Sequence, residues 1–247
     1  MQVRATRHSR GTAVGHAAQA MNKTLSFHEQ TGILIPGAAL VFALLFFFPE
    51  FRQLFFSDGV SIGGLGLFLL ISYAAGHLAA ALGNLVELCV WHIGGGRPVN
   101  WVIQKKNRLL SPEQIDSLEA LIKQRLRLDI ASIRSMTPRE WLPISRQIYA
   151  DVISHGKAAK VDSFNGIYGL NRGLAAALLA LILLSLAFSE TDWRIVLGLL
   201  PIVVVYLYRM YRFGISHASE LYCQFLLLPP QPPIARRTGN VTRLPVS

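Results

Sequence analysis

Apolar residues in this chain come in long blocks, with polar residues gathered between them. The longest block runs from Gly59 to Val86 without an Asp, Glu, Lys or Arg, carries His77 near its middle and stops at Glu87. A run of that length exceeds what a soluble core helix needs, so it reads as a membrane span over Ile62–Ile93. It is longer than the hydrocarbon core requires and is expected to tilt or project beyond it. Ile33–Phe48 reads as a first span, with Pro36 in the first turn, where a missing N–H costs little, and Pro49-Glu50 closing it. Gly173–Ser189 and Trp193–Tyr208 read as spans 3 and 4, joined by the polar hairpin Ser189–Arg194. Span 4 is short, but Trp193 can anchor one interface and Arg209 can snorkel at the other. Its helix is expected to run on until Pro229-Pro230.

The pattern changes at Gly94-Gly95-Gly96-Arg97-Pro98, where apolar residues begin to recur at helical spacing among charges. Ser111-Pro112-Glu113-Gln114 joins an N-cap, a proline at the first helical position and early acidic charge. Ile115, Leu118, Leu121, Ile122, Leu126 and Ile130 then predict one amphipathic helix. Thr137-Pro138-Arg139-Glu140 has capping-box spacing and predicts a second helix. The reading is an all-α integral membrane protein of four transmembrane helices. It divides into a cytoplasmic N-terminal arm (1–32), a transmembrane hairpin (33–93), a cytoplasmic helical segment (94–170), a second hairpin (171–212) and a cytoplasmic helix extension with a disordered tail (213–247).

Charge sets the orientation. Lys and Arg outnumber Asp and Glu 24 to 14, and only 15% of residues are charged against 52% hydrophobic. The basic excess flanks the apolar blocks, which points to topogenic charge and anionic lipid headgroups rather than nucleic acid. Twelve Lys and Arg lie from Arg97 to Lys160, and the arm and tail are also basic, whereas the short links carry Arg52 and Arg194 alone. With an even number of spans all the basic segments share one side, so both termini and the middle segment are expected to be cytoplasmic. The sequon matches at Asn22 and Asn240 would then face the wrong side. The first twenty residues lack the apolar core of a secretory signal and read as a disordered arm or a mis-assigned start before Met21. Cys89 and Cys223 have no metal-ligand spacing and read as small packing residues.

Candidate chemistry centres on span 2. At about 100° per residue, Gly76, Ala80, Gly83, Glu87, Tyr73 and Trp91 fall on one face, with His77 and Asn84 at its edge. Gly76, Ala80 and Gly83 would let a neighbouring helix approach closely, and His77, Asn84 and Glu87 would form a polar membrane stripe. One reading is a packing face in which the polar groups bond to another span. The other is a proton- or ion-handling site, with His77 titrating, Asn84 orienting a ligand and Glu87 supplying charge. Arg172, at the start of span 3 and at similar depth, is the expected partner of Glu87. The glycine-rich stretch Asn165–Gly173 lacks the order of a phosphate loop or dinucleotide site and reads as a hinge or tight crossing. Asp151 and His155 are four residues apart and read as an exposed helical pair. No catalytic residue, metal site or cofactor is assigned.

The segments Gly76–Asn84 (GHLAAALGN), Tyr168–Gly173 (YGLNRG) and Tyr208–Gly214 (YRMYRFG) resemble those of small uncharacterised bacterial four-span inner-membrane proteins. That resemblance implies the bacterial inner membrane and no particular activity. The function expected from the sequence is a non-enzymatic multi-pass module, an oligomeric pore-like effector or a scaffold coupled to its cytoplasmic helices. Its partners would be the lipid bilayer and further copies of itself, or another membrane or cytoplasmic protein. A proton-coupled transporter or small channel using the span 2 stripe is the alternative, and a membrane-embedded enzyme the third reading.

Overall fold

The structure, a computed structural model, describes residues 32–56, 61–105, 107–187 and 193–229. The expectations for the N-terminal arm, most of the hairpin between spans 3 and 4, and the tail after Pro229 lie outside these residues. Among the described residues all regular structure is helical: α1 (Gly32–Phe47), α2 (Pro49–Phe56), α3 (Ile62–Ile93), α4 (Pro112–Leu121), α5 (Pro138–Ser154), α6 (Ala159–Ala187) and α7 (Trp193–Leu226), with 3-10 turns at Pro98–Ile103 and Ile133–Ser135. Three helices, α3, α6 and α7, are long and apolar enough to cross a membrane, and α1 is a shorter apolar helix. Residues expected in the first link instead form α2, which brings Phe55 against Phe68, Val41 and Leu45.

Local signals set the boundaries. Ser61 Oγ accepts the Gly64 N–H at 3.0 Å and starts α3. At its other end Gly95 and Gly96 adopt φ of 87° and 92°, a region that only glycine enters cheaply, and the chain turns into the 3-10 segment. Capping boxes at Ser111/Gln114 and Thr137/Glu140 open α4 and α5. The backbone N–H of Thr137, helped by its hydroxyl, holds the Glu140 carboxyl below its usual value. The single helix expected through Ile130 is shorter. After Leu121 the backbone widens into a π turn over Ile122–Leu126 and ends at Arg127, whose φ is 56°. Ile130 still reaches the core, from irregular chain.

Two hydrophobic centres result. The helical domain packs Leu118, Ile122, Ile133, Trp141 and Ile148 around the last turns of α7, where Leu221, Tyr222 and Phe225 are buried. Trp141 Nε1 and the Tyr222 hydroxyl both donate to the Val99 carbonyl, at 2.9 and 2.6 Å, so the two buried polar tips share one acceptor on the 3-10 turn. The apolar helices form the other centre. There α1 crosses α3 with backbones touching: a Cβ on Gly37 would run into the Ser72 carbonyl, and one on Gly76 into the Ile33 carbonyl. Pro36 of the same helix sits on Gly173 of α6, whose Cβ would lie 2.8 Å from the ring.

Among the described residues no linker separates the two parts at α6 or α7. The divisions expected after residues 170 and 212 both fall inside unbroken helices, α6 and α7. Outward, Leu65, Leu69, Leu70 and Leu78 of α3, Leu183 and Leu186 of α6, and Leu197, Leu200, Val204 and Val205 of α7 are exposed. A continuous apolar exterior of this kind is what helices in lipid present and what soluble domains avoid.

Candidate functional site

The seam of α3 is made by Phe68, Ser72, Gly76, Ala79, Gly83, Glu87 and Trp91, all buried. The lower half of that seam receives α1 backbone, and the upper half receives a charge from α6. The aliphatic stem of Arg172 lies over Gly83, where a Cβ would come within 3.1 Å of its Cγ. Only the absence of a side chain there lets the arginine run along α3 to the next turn. Its Nη1 reaches Glu87 Oε2 at 2.5 Å, while Glu87 Oε1 lies 3.5 Å from Arg97 Nη2. The Glu87 and Arg172 side chains retain 12% and 23% exposure, against 64% for Arg97. One carboxylate is thus held between an enclosed guanidinium and an open one.

Aromatic and amide groups complete the cluster. Arg172 sits over the Tyr168 ring at 5.8 Å, and the Tyr168 hydroxyl accepts a hydrogen bond from Trp91 Nε1 at 2.9 Å. Trp91 stacks on Tyr211 of α7, centroids 5.2 Å apart, and meets Trp101 edge-on at 6.2 Å. On the far side of α6, Asn171 accepts from Arg209 Nε at 3.1 Å and donates back to the Ile167 carbonyl. Charge, amide and ring contacts therefore tie α3, α6 and α7 together at one level, where the apolar helices meet the helical domain. Arg172 Nε is buried there without a hydrogen-bond partner among the described residues. Tryptophan, tyrosine and arginine at such a level are the composition of a headgroup zone. Chemically the arrangement is a charge-compensated clamp. Its carboxylate already faces two cations, and among the described residues no group of three or more His, Cys, Asp or Glu could hold a metal ion.

The structure thus brings Glu87 and Arg172 together, with Gly76 and Gly83 in the same seam and Ala80 half-buried at its margin. His77 and Asn84 stand elsewhere. Both are exposed on a side of α3 that no other described helix covers, and among the described residues His77 meets the edge of Tyr73, at 4.9 Å. The stripe that sequence spacing joins is therefore two faces. One, small and acidic, is packed. The other, holding His77 and Asn84, is open. Cys89 is exposed too, and Cys223 is half-buried on α7; both are free thiols.

A second polar cluster escaped the sequence reading. Asp151, expected in an exposed pair with His155, does lie 3.4 Å from the His155 ring, but it is mostly enclosed and also takes a two-point contact from Arg125, whose side chain is fully buried: Nε to Oδ2 at 2.6 Å and Nη2 to Oδ1 at 3.2 Å. Arg125 Nη1 also donates to the Pro229 carbonyl at 2.5 Å, and Nη2 meets His155 Nε2 at 3.1 Å. The pair fastens the exit of α7 to the domain. One signal could have found it. Leu118, Ile122 and Arg125 follow the buried spacing of α4, so an arginine occupies a core position and demands a buried partner.

Comparison with known proteins adds no relative: no family model fits the chain, and no curated protein or solved structure matches it.

Proposed function

We propose that the chain is a four-span protein of the bacterial inner membrane, with both termini and the helical domain cytoplasmic, and that it is a non-enzymatic module rather than a catalyst. In this reading α1 is the fourth span. Its 16 residues cover only about 24 Å, so the bilayer thins or α1 sits beside the tilted α3. Four spans keep the basic segments on one side, as the charge bias requires.

The observation that carries the function is the continuity of α7. One helix runs from an exposed apolar face at Leu197–Val205 into the domain core at Leu221–Phe225. The clamp Glu87–Arg172 and the Asn171–Arg209 bond tie the same helix bundle at the junction. A tilt of the spans must therefore move the domain, and a partner on the domain must bias the spans. That suits a scaffold or an oligomeric pore-like effector. His77 and Asn84 favour the oligomer, because polar groups exposed on a spanning helix are costly until a second copy or water meets them. The transporter reading has less support, since Glu87 is held by arginines and turned away from His77 and Asn84.

The test is expression of the full chain in bacteria with a potential-sensitive dye, alongside fractionation and cysteine-accessibility mapping. The effector predicts membrane-bound protein, cytoplasmic termini and depolarisation lost with His77→Ala or Asn84→Ala. A membrane-bound chain that leaves the potential intact but copurifies as a stable complex is a scaffold. Recovery in the soluble fraction, or pH-dependent flux without depolarisation, ends the proposal.

A further inference from the structure

A cavity of about 340 Å³ opens between the 3-10 turn Pro98–Ile103, α5 and the domain ends of α6 and α7. That is within the size range of small-molecule sites. We propose that it binds a phosphate-bearing ligand, with Arg146 and Arg97 holding the anion. Both arginines line it, and no carboxylate does among the described residues. Arg146 has no hydrogen-bond or ion-pair partner among the described residues, and Arg97 spends a single 3.5 Å contact on Glu87. Two guanidiniums facing one cavity that no carboxylate lines, with Glu87 at 3.5 Å from Arg97 as the one counter-charge among the described residues, is an arrangement that recruits an anion, and the planar fork matches phosphate oxygens.

The remaining walls fit the rest of such a molecule. Asn100 and Asn165 line the cavity with amides that have no partner among the described residues, and Leu142 and Leu221 give it an apolar side. His217 adds no charge. Its Nδ1 lies 3.2 Å from the Val161 carbonyl, which can only accept, so the hydrogen is on Nδ1 and burial keeps the ring neutral near pH 7. Nε2 is then left as an acceptor, suited to a hydroxyl. The site lies on the domain side of the Glu87–Arg172 clamp, to which Arg97 links it directly. Two sources could supply the phosphate: a lipid headgroup at the interface or a free phosphorylated small molecule.

The experiment is calorimetric titration of the full chain in non-ionic detergent with short-chain phosphatidylglycerol, with glycerol phosphate and with the matching diacylglycerol. The expected result is saturable binding of at least one phosphate probe and none of the diacylglycerol. Arg146→Gln, an exposed position without internal partners, should weaken binding about tenfold, equivalent to ~1.4 kcal/mol. Leu142→Trp, which fills the apolar side, should weaken it independently. Binding of the lipid alone identifies a headgroup, and binding of glycerol phosphate identifies a soluble ligand; either supports the site. No binding of either phosphate probe, equal binding of the diacylglycerol, or binding unchanged in both folded variants overturns it. A chain that binds phosphate yet never depolarises cells keeps this inference and removes the pore.

Discussion

Replacing Arg172 by Met should reveal how much the junction depends on its clamp. The substitution keeps the stem over Gly83 and removes the guanidinium, leaving Glu87, 12% exposed, with only Arg97 at 3.5 Å. Stranding one member of a buried pair costs ~3–5 kcal/mol. Partial exposure and the surviving Arg97 contact place this case at or below the lower end, at about 2–3 kcal/mol. Glu87→Met strands the better-solvated partner and should cost less. The double variant removes both charges from an apolar seam and should cost less than the sum of the two singles, with a coupling of at least ~1.5 kcal/mol. Unfolding in mixed micelles, followed by tryptophan fluorescence, reads all four corners of the cycle, since Trp91 stands one turn from Glu87. Gly83 supplies an internal check. Gly83→Leu drives into the arginine stem, so it should harm the wild type far more than a variant in which Arg172 is Ala. Singles and double that add within ~0.5 kcal/mol would refute the clamp.

Other consequences are equally direct. Gly76→Val puts carbon into the Ile33 carbonyl, and backbone cannot rotate away, so the cost should reach or exceed the ~1–3 kcal/mol of ordinary overpacking; Val41→Cys, buried in the parent, should then become reactive to a thiol reagent. Arg125→Met should destabilise the helical domain by about 3 kcal/mol and expose the end of α7 to limited proteolysis, with Asp151→Asn recovering part of the loss. Burial lowers the His217 pKa, partly offset by the Val161 carbonyl and Asp162. As pH falls below about 6.5 the unfolded chain takes a proton that the folded chain refuses, so stability should drop towards the lowered folded value. In His217→Gln that part of the pH slope should vanish from unfolding midpoints measured between pH 7.5 and 5.

Element types were largely legible because each has a local cause. The caps at Ser111 and Thr137, the glycine break at Gly94–Gly96 and the apolar blocks all act within a few residues of the structure they produce. Glu87 and Arg172 could be paired from depth alone, since charges that must leave water seek each other. What sequence could not supply was competition between distant segments. The π turn after Leu121 depends on Arg125 finding Asp151 and Pro229, from another helix and from the chain beyond α7. Likewise α2 depends on Phe68 and α1 to receive Phe55.

The misjudged face of α3 has a more general cause. On an amphipathic helix the polar residues mark the solvent side, but α3 is apolar all round, with apolar residues on its exposed as well as its buried faces. Its polar groups then carry no directional information, and the small residues do. Ser72, Gly76, Ala79 and Gly83 cluster within about 60° of one direction and coincide with the buried seam. Adding His77 and Asn84 to them pulls the inferred face about 30° round the helix, onto its margin. Backbone contact selects size before polarity: Gly37 and Gly76 meet because neither has a side chain, and Gly83 is open because Arg172 needs the space. Glu87 joins that seam because a cation follows the groove the glycine leaves. His77 and Asn84 have no such groove. If the chain spans a bilayer, their partners must come from beyond the described helices, which makes the loss of self-association in His77→Ala or Asn84→Ala the informative result.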